Sequence, residues 1–174
     1  MDKPAMSPLK GLGVLLGVIV VIAGFIAVAV ALHLSELWAG FLFLLYWSMV
    51  EHAKPERIRA SAIGAFVGTG TAALMALAPA ALGAGPGMAL FMGVVLLLVY
   101  AIIMGWAPIA VNMATMIFLT VGTIPHVQGI PGVSPGADWR QVAFGIIAGI
   151  IYFGGLALVA GALTKKKAGA PAEA

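Results

Sequence analysis

Six apolar stretches, separated by short polar or Gly/Pro-rich breaks, organise this chain. Segment one runs from about Gly11 to Leu32. Its roughly 20 apolar residues are enough to span a hydrocarbon core ~30 Å thick. Segment two, Leu37 to Val50, is bracketed by Glu36 and Glu51 and contains Trp38, Tyr46 and Trp47. At about 14 residues it reads as either a minimal span or a re-entrant piece. Segment three covers about Ile58–Leu82, segment four about Gly87–Met104, segment five about Pro108–Ile124 and segment six about Val142–Leu163. Pro108 disfavours helical geometry at Ala107, so segment four should end near there and Pro108 should sit in the first turn of segment five. The pattern predicts an all-α polytopic membrane bundle of about six transmembrane helices. It forms a single integral membrane domain, residues 1–167, with a small polar tail, residues 168–174, expected to be disordered.

Composition agrees with lipid as the main solvent. The 174 residues are 63% hydrophobic and 9% charged, against roughly 45–50% and about 25% in soluble domains. Ala29-Val30-Ala31 has the look of a signal-peptide cleavage site. The apolar run before it is longer than an h-region of roughly 7–15 residues, so segment one is read as a retained span. The chain has no cysteine, which excludes disulfides, thiolate metal sites and cysteine nucleophiles. The net charge of +3 comes from short basic clusters at segment ends. No aromatic residues interleave with them in a nucleic-acid-reading pattern.

Those clusters set the expected orientation. With the N-terminus in the cytoplasm and six crossings, Lys3, Lys10, Lys54, Arg57, Arg59, Lys165, Lys166 and Lys167 fall inside, and only Arg140 falls outside. Eight of nine bases on one side satisfies the positive-inside rule. A re-entrant segment two would move Lys54, Arg57 and Arg59 outside and remove the bias. The expected location is a bacterial inner membrane, with both termini cytoplasmic.

The halves share a faint pattern. Trp38-Ala39-Gly40 opens segment two and Trp106-Ala107-Pro108 opens segment five. Gly64 and Gly68 in segment three are answered by Gly145 and Gly149 in segment six. Three crossings reverse direction, so such a 3+3 repeat would be inverted, a plan that recurs in transporters. The four glycines are candidate helix-packing positions, inside one protomer or in a homo-oligomer, because lipid supplies no hydrophobic drive between helices and close backbone contact must serve instead.

Segment five is the most polar. Asn112, Thr115 and Thr123 fall on one side of an ideal helix, with Thr120 at the edge. An amide in hydrocarbon needs a partner, so Asn112 either lines a wet path or ties helices together. With Trp38 and Trp106, these residues form the candidate solute pathway. His33, Glu36 and His126 fall at the outer ends of segments, as interfacial residues or as a pH sensor. Their spacing suggests no metal site. No charged residue lies at the centre of a span, and no phosphate loop, nucleophile elbow or zinc-protease pair appears. These absences point away from an enzyme, from any cofactor and from ion-coupled transport.

The stretch His33–Trp47, with Trp38-Ala39-Gly40-Phe41, together with Pro108 and Ala114-Thr115, resembles small bacterial inner-membrane proteins grouped as domain of unknown function 1097. The likeness covers most of residues 10 to 163 and implies a membrane location. The chain departs from that pattern at Glu51–Arg59, where a glycine-rich loop is expected. Two functions follow as expectations: a channel or facilitator for a small neutral or weakly polar solute, or a non-transporting membrane assembly or scaffold protein. The topology makes a direct prediction. A Lys54→Cys variant should be silent to an impermeant thiol reagent in intact cells and react after permeabilisation, and labelling of intact cells would reverse the orientation.

Overall fold

In a computed structural model, residues 7–168 are described. The chain is helical, with no β-strand among the described residues beyond an isolated bridge between Ile130 and Ser134. It divides into two compact units, the first ending at Leu34 and the second beginning at Ser35.

The first unit is one helix, α1 (Pro8–Ala31). Pro8 suits the first turn, where its missing N–H would have no partner. Apolar side chains from Leu9 to Val20 stand exposed around the helix, as lipid permits and water does not.

The second unit contains α2 (Leu37–Met49), α3 (Ile58–Leu82), α4 (Ala84–Ile103), α5 (Met113–Gly122), the single turn α6 (Pro125–Gln128) and α7 (Trp139–Ala168). Four apolar runs are long enough to cross a membrane: Pro8–Ala31, Pro55–Leu82, Ala84–Ile103 and Trp139–Ala162. The helices α2 and α5 are shorter, with 13 and 10 residues. At 1.5 Å per residue they measure about 20 and about 15 Å, well short of a ~30 Å core.

Helix directions follow from which residues meet. A Cβ built on Gly64 meets the Asn112 side chain, one on Gly68 meets the backbone at Thr115 and Leu119, and one on Gly122 meets Ala72. Residue numbers rise together, so α5 runs parallel to α3. In the same way Gly145 meets Glu36 and Gly149 meets Gly40, so α2 runs parallel to α7. Gly154 lies by Ile58, while Trp139 packs on the cluster of Ala72, Phe91 and Leu119. The helices α3 and α7 are therefore antiparallel. Gly87 touches Ala78 and Pro79, which makes α3 and α4 a hairpin, turned at Gly83 with φ +88. Five consecutive long elements, α2, α3, α4, α5 and α7, thus alternate in direction.

Several boundaries differ from the sequence expectation. Segment five does not begin at Pro108. Residues 107–111 form a turn in which the Ala110 and Val111 amides both donate to the Ala107 carbonyl, at 2.8 Å each, and Ala107 takes φ +47. Helix α5 waits for Asn112, whose side chain can cap it. At the other end, α7 extends through Ala168, so the tail expected from 168 loses its first residue to a helix. Residues 169–174 lie outside the described residues.

The glycine contacts yield a stability prediction. Gly68→Ile and Gly149→Ile should each cost about 1–3 kcal/mol or more, because a branched side chain must displace backbone atoms. Leu96→Ala, at an exposed position, should leave the melting temperature in detergent close to wild type. Normal yield and melting for both glycine variants would contradict the packing described.

Candidate functional site

The polar residues gather where short helices begin. Asn112 is the N-cap of α5, not a mid-helix residue. Its Oδ1 accepts from the Ala114 amide at 2.9 Å, while Thr115 Oγ1 accepts from the Asn112 amide at 3.1 Å, closing a capping box. Its Nδ2 donates to the carbonyls of Pro108 and Ile109 and, at 3.0 Å, to that of Ala60 in α3. The amide is thus engaged with the backbone, and Gly64 leaves it room. This geometry is that of an inter-helix tie. Buried Thr115 donates to the Ala110 carbonyl at 2.9 Å. Thr123 is the C-cap of α5 and donates to the Thr120 carbonyl at 2.9 Å. The single wet stripe expected along segment five is not assembled, since Asn112 precedes the helix and Thr123 follows it.

The two tryptophans do not occupy matching places. Trp38 sits in the first turn of α2 and donates to Glu36 Oε2 at 2.6 Å. Trp106 lies in the loop ahead of α5, half exposed, its ring edge-on to Tyr100 at 5.3 Å. Two other short patterns recur along the chain. Ala39-x-x-x-Phe43-Leu44 in α2 is repeated as Ala114-x-x-x-Phe118-Leu119 in α5. Arg59-x-x-Ala62-x-Gly64-x-x-x-Gly68 in α3 is repeated as Arg140-x-x-Ala143-x-Gly145-x-x-x-Gly149 in α7. Ala39, Phe43, Ala114 and Phe118 are all buried.

Two ends of the bundle carry the charged groups. Helices α2 and α7 are parallel and start side by side. Glu36 Oε1 accepts from the Asp138 amide at 3.3 Å, and Asp138 Oδ1 accepts from the Arg140 amide at 2.9 Å. Two carboxylates therefore offset two adjacent helix N-termini. Beside them a cavity of about 250 Å³ opens, lined by Glu36, His126, Val127 and residues 133–137. At the opposite end Tyr46 Oη donates to Glu51 at 2.9 Å, and Arg57 pairs with Glu51 at 3.5 Å. Trp47 Nε1 donates to the Lys54 carbonyl at 2.9 Å.

Sequence reasoning missed the buried hydroxyls of α3. Ser61 and Thr69 are 1% and 7% exposed, and neither Oγ nor Oγ1 has a hydrogen-bond partner among the described residues. Both lie four residues from fully buried Ala65, so the three form a line along one side of α3. Gln128 Oε1 is also buried and unpartnered, while Nε2 donates to the carbonyls of Ala72 and Gly122 at 2.9 and 2.6 Å. The four-residue spacing was a usable signal, but a small hydroxyl in a Gly/Ala-rich helix does not announce its orientation. Among the described residues no group of three or more acidic, histidine or cysteine side chains could hold a metal ion.

The tie through Asn112 is testable. Asn112→Leu should cost about 1–2 kcal/mol of thermal stability by losing the cap. Asn112→Ser, which keeps a capping oxygen, should recover part of the loss; equal stability for all three proteins would contradict the tie. No family model, curated protein or solved structure matches the chain, and the resemblance carried by Trp38-Ala39-Gly40-Phe41 rests on those residues alone.

Proposed function

We propose that the chain is a six-crossing facilitator for a small neutral or weakly polar solute, seated in a bacterial inner membrane with both termini cytoplasmic. The observation that carries this reading is the pair of buried, unpartnered hydroxyls at Ser61 and Thr69, one turn on either side of Ala65. An unsatisfied buried polar group costs about 1–3 kcal/mol. A passing solute with a donor or acceptor would offset that cost.

The architecture supports the same reading. The matched registers of α2 with α5 and of α3 with α7, on helices of opposite direction, favour an inverted repeat. That plan places solute sites at the repeat interface, on short helices. Helices α2 and α5 are too short to span, so the irregular backbone next to them falls at hydrocarbon depth. Such backbone is tolerated only against protein or water, which favours an aqueous approach from each side. The cavity at Glu36 and His126 fits the outer one. Alternating helix directions and the bases Lys54, Arg57 and Arg59 at the start of α3 support the crossing number and orientation. Self-association belongs to the same reading: Gly13 and Gly17 give α1 a small-residue face of the kind that lets helices pack closely in lipid.

A scaffold role is the alternative. It is favoured by the full engagement of Asn112 with backbone groups, which makes that residue structural.

Ser61→Ala and Thr69→Val separate the two. Deleting an unpartnered hydroxyl should preserve or raise thermal stability. On the facilitator reading it should also lower stopped-flow permeation of glycerol or urea into proteoliposomes severalfold. Wild-type permeation at the level of protein-free liposomes would leave only the scaffold role.

A further inference from the structure

Resting on the facilitator reading, we infer that Gln128 is the outer selectivity residue of the path, and that it admits small uncharged solutes able to donate a hydrogen bond. Among the described residues, three buried side-chain polar atoms lack a partner: Ser61 Oγ, Thr69 Oγ1 and Gln128 Oε1. All three belong to α3 or are tied to it. Ser61 and Thr69 lie within the helix, and Gln128 Nε2 donates to the Ala72 carbonyl at 2.9 Å.

The chain sets Gln128 between the outer cavity and those hydroxyls. His126 and Val127, immediately before it, line the cavity. So does Gly136, where an added Cβ would lie 3.0 Å from the carbonyl carbon and oxygen of Gln128. The side chain runs the other way, into the bundle. Its Nε2 also donates to the Gly122 carbonyl at 2.6 Å, where α5 abuts Ala72 of α3. In the proposed orientation Thr69 lies about 4.5 Å further inward along α3 than Ala72, and Ser61 about 12 Å beyond Thr69. The order from outside is therefore cavity, amide, hydroxyl, hydroxyl.

The chemistry of the amide gives the selectivity its sign. A glutamine side chain offers two donors and an acceptor oxygen. Here Nε2 is taken up by two carbonyls, and the oxygen is left. Flipping the amide would press that oxygen against the same two carbonyls, so its orientation is locked. Gln128 presents a fixed acceptor. A solute with N–H or O–H groups pairs it and relieves the cost of burying it unpaired. A solute that only accepts brings oxygen to oxygen, and a site whose polar group must be paired rejects the molecule that cannot pair it. The hydroxyls of Thr69 and Ser61 both donate and accept, so they serve either kind, and the discrimination falls at Gln128. The solute class is ureas, small amides and polyols, with acceptor-only molecules excluded.

The test uses the purified full-length chain in liposomes and stopped-flow swelling. The probes are urea, glycerol and trimethylamine N-oxide, which is neutral overall, intermediate between the other two in size, and accepts hydrogen bonds without donating any. Wild type should admit urea and glycerol severalfold faster than the amine oxide. Gln128→Met should lower urea entry severalfold and abolish the preference. Gln128→Lys, whose ammonium keeps donors for both carbonyls but has no acceptor, should abolish it too and serves where the methionine variant does not fold. Asn112→Leu removes the other side-chain amide that ties onto α3; it controls for loosened packing and should keep the preference. Equal entry of urea and the amine oxide in a wild type that conducts urea would overturn the inference and leave the facilitator reading standing, as would a folded Gln128 variant that retains the preference. Its loss in Asn112→Leu would also overturn the inference, as general loosening. Wild-type rates at the protein-free level for every probe would overturn both.

Discussion

Close approach at four glycines, three of them against main chain, is the constraint on which the second unit depends. In lipid, apolar side chains gain nothing by leaving their solvent, so helix pairing draws on dispersion at close range and on hydrogen bonds. Gly64 and Gly68 bring α3 onto α5, and Gly145 and Gly149 bring α7 onto α2. The contact at Gly149 is main chain on main chain: an added Cβ would sit 2.8 Å from the Gly40 Cα. The two helices held in this way are the ones too short to span a bilayer. A short helix in lipid has exposed ends, and only a tight, lengthwise contact with a longer helix keeps those ends near protein partners.

Parallel packing of that kind has an electrostatic consequence. It sets two helix N-termini side by side at each end of the unit, and their partial positive charges repel. The two ends resolve this differently. At the α2–α7 end, Glu36 and Asp138 supply carboxylates. At the α3–α5 end, neutral Asn112 caps one helix, and Glu51 approaches from the end of α2 to pair with Arg57 and accept from Tyr46. Lys54, Arg57 and Arg59 at the second end are bases that the proposed orientation places in the cytoplasm.

Asn112 and the α3 hydroxyls change places in importance once packing is known. The amide reaches across to Ala60 and satisfies its own turn, so it contributes to stability. Ser61 and Thr69 are buried without a partner, so they carry a cost that packing alone does not explain. In the proposed facilitator they are the groups a passing solute would partner.

Much of this was legible in the linear chain. Apolar run length marked all six segments, and α3 begins and ends where the pattern placed it, at Ile58 and Leu82. The glycine spacing identified the surfaces that pack, because lipid-embedded helices have few other means of close approach. Local signals failed where two compete: Pro108 favours a helix start, yet Asn112 caps one four residues later, and the cap that also reaches α3 prevails. The likeness of Trp38-Ala39 to Trp106-Ala107 drew the eye to positions that do not match in the fold, while the equal spacing of Ala39 with Phe43 and of Ala114 with Phe118 stands out only after each helix is seen against its glycines. Sequence by itself therefore determined which residues live in lipid and which faces can pack. Tertiary structure alone decided which helix each glycine face receives and which polar atoms remain unpaired, since both depend on contacts between residues some 50 to 110 positions apart.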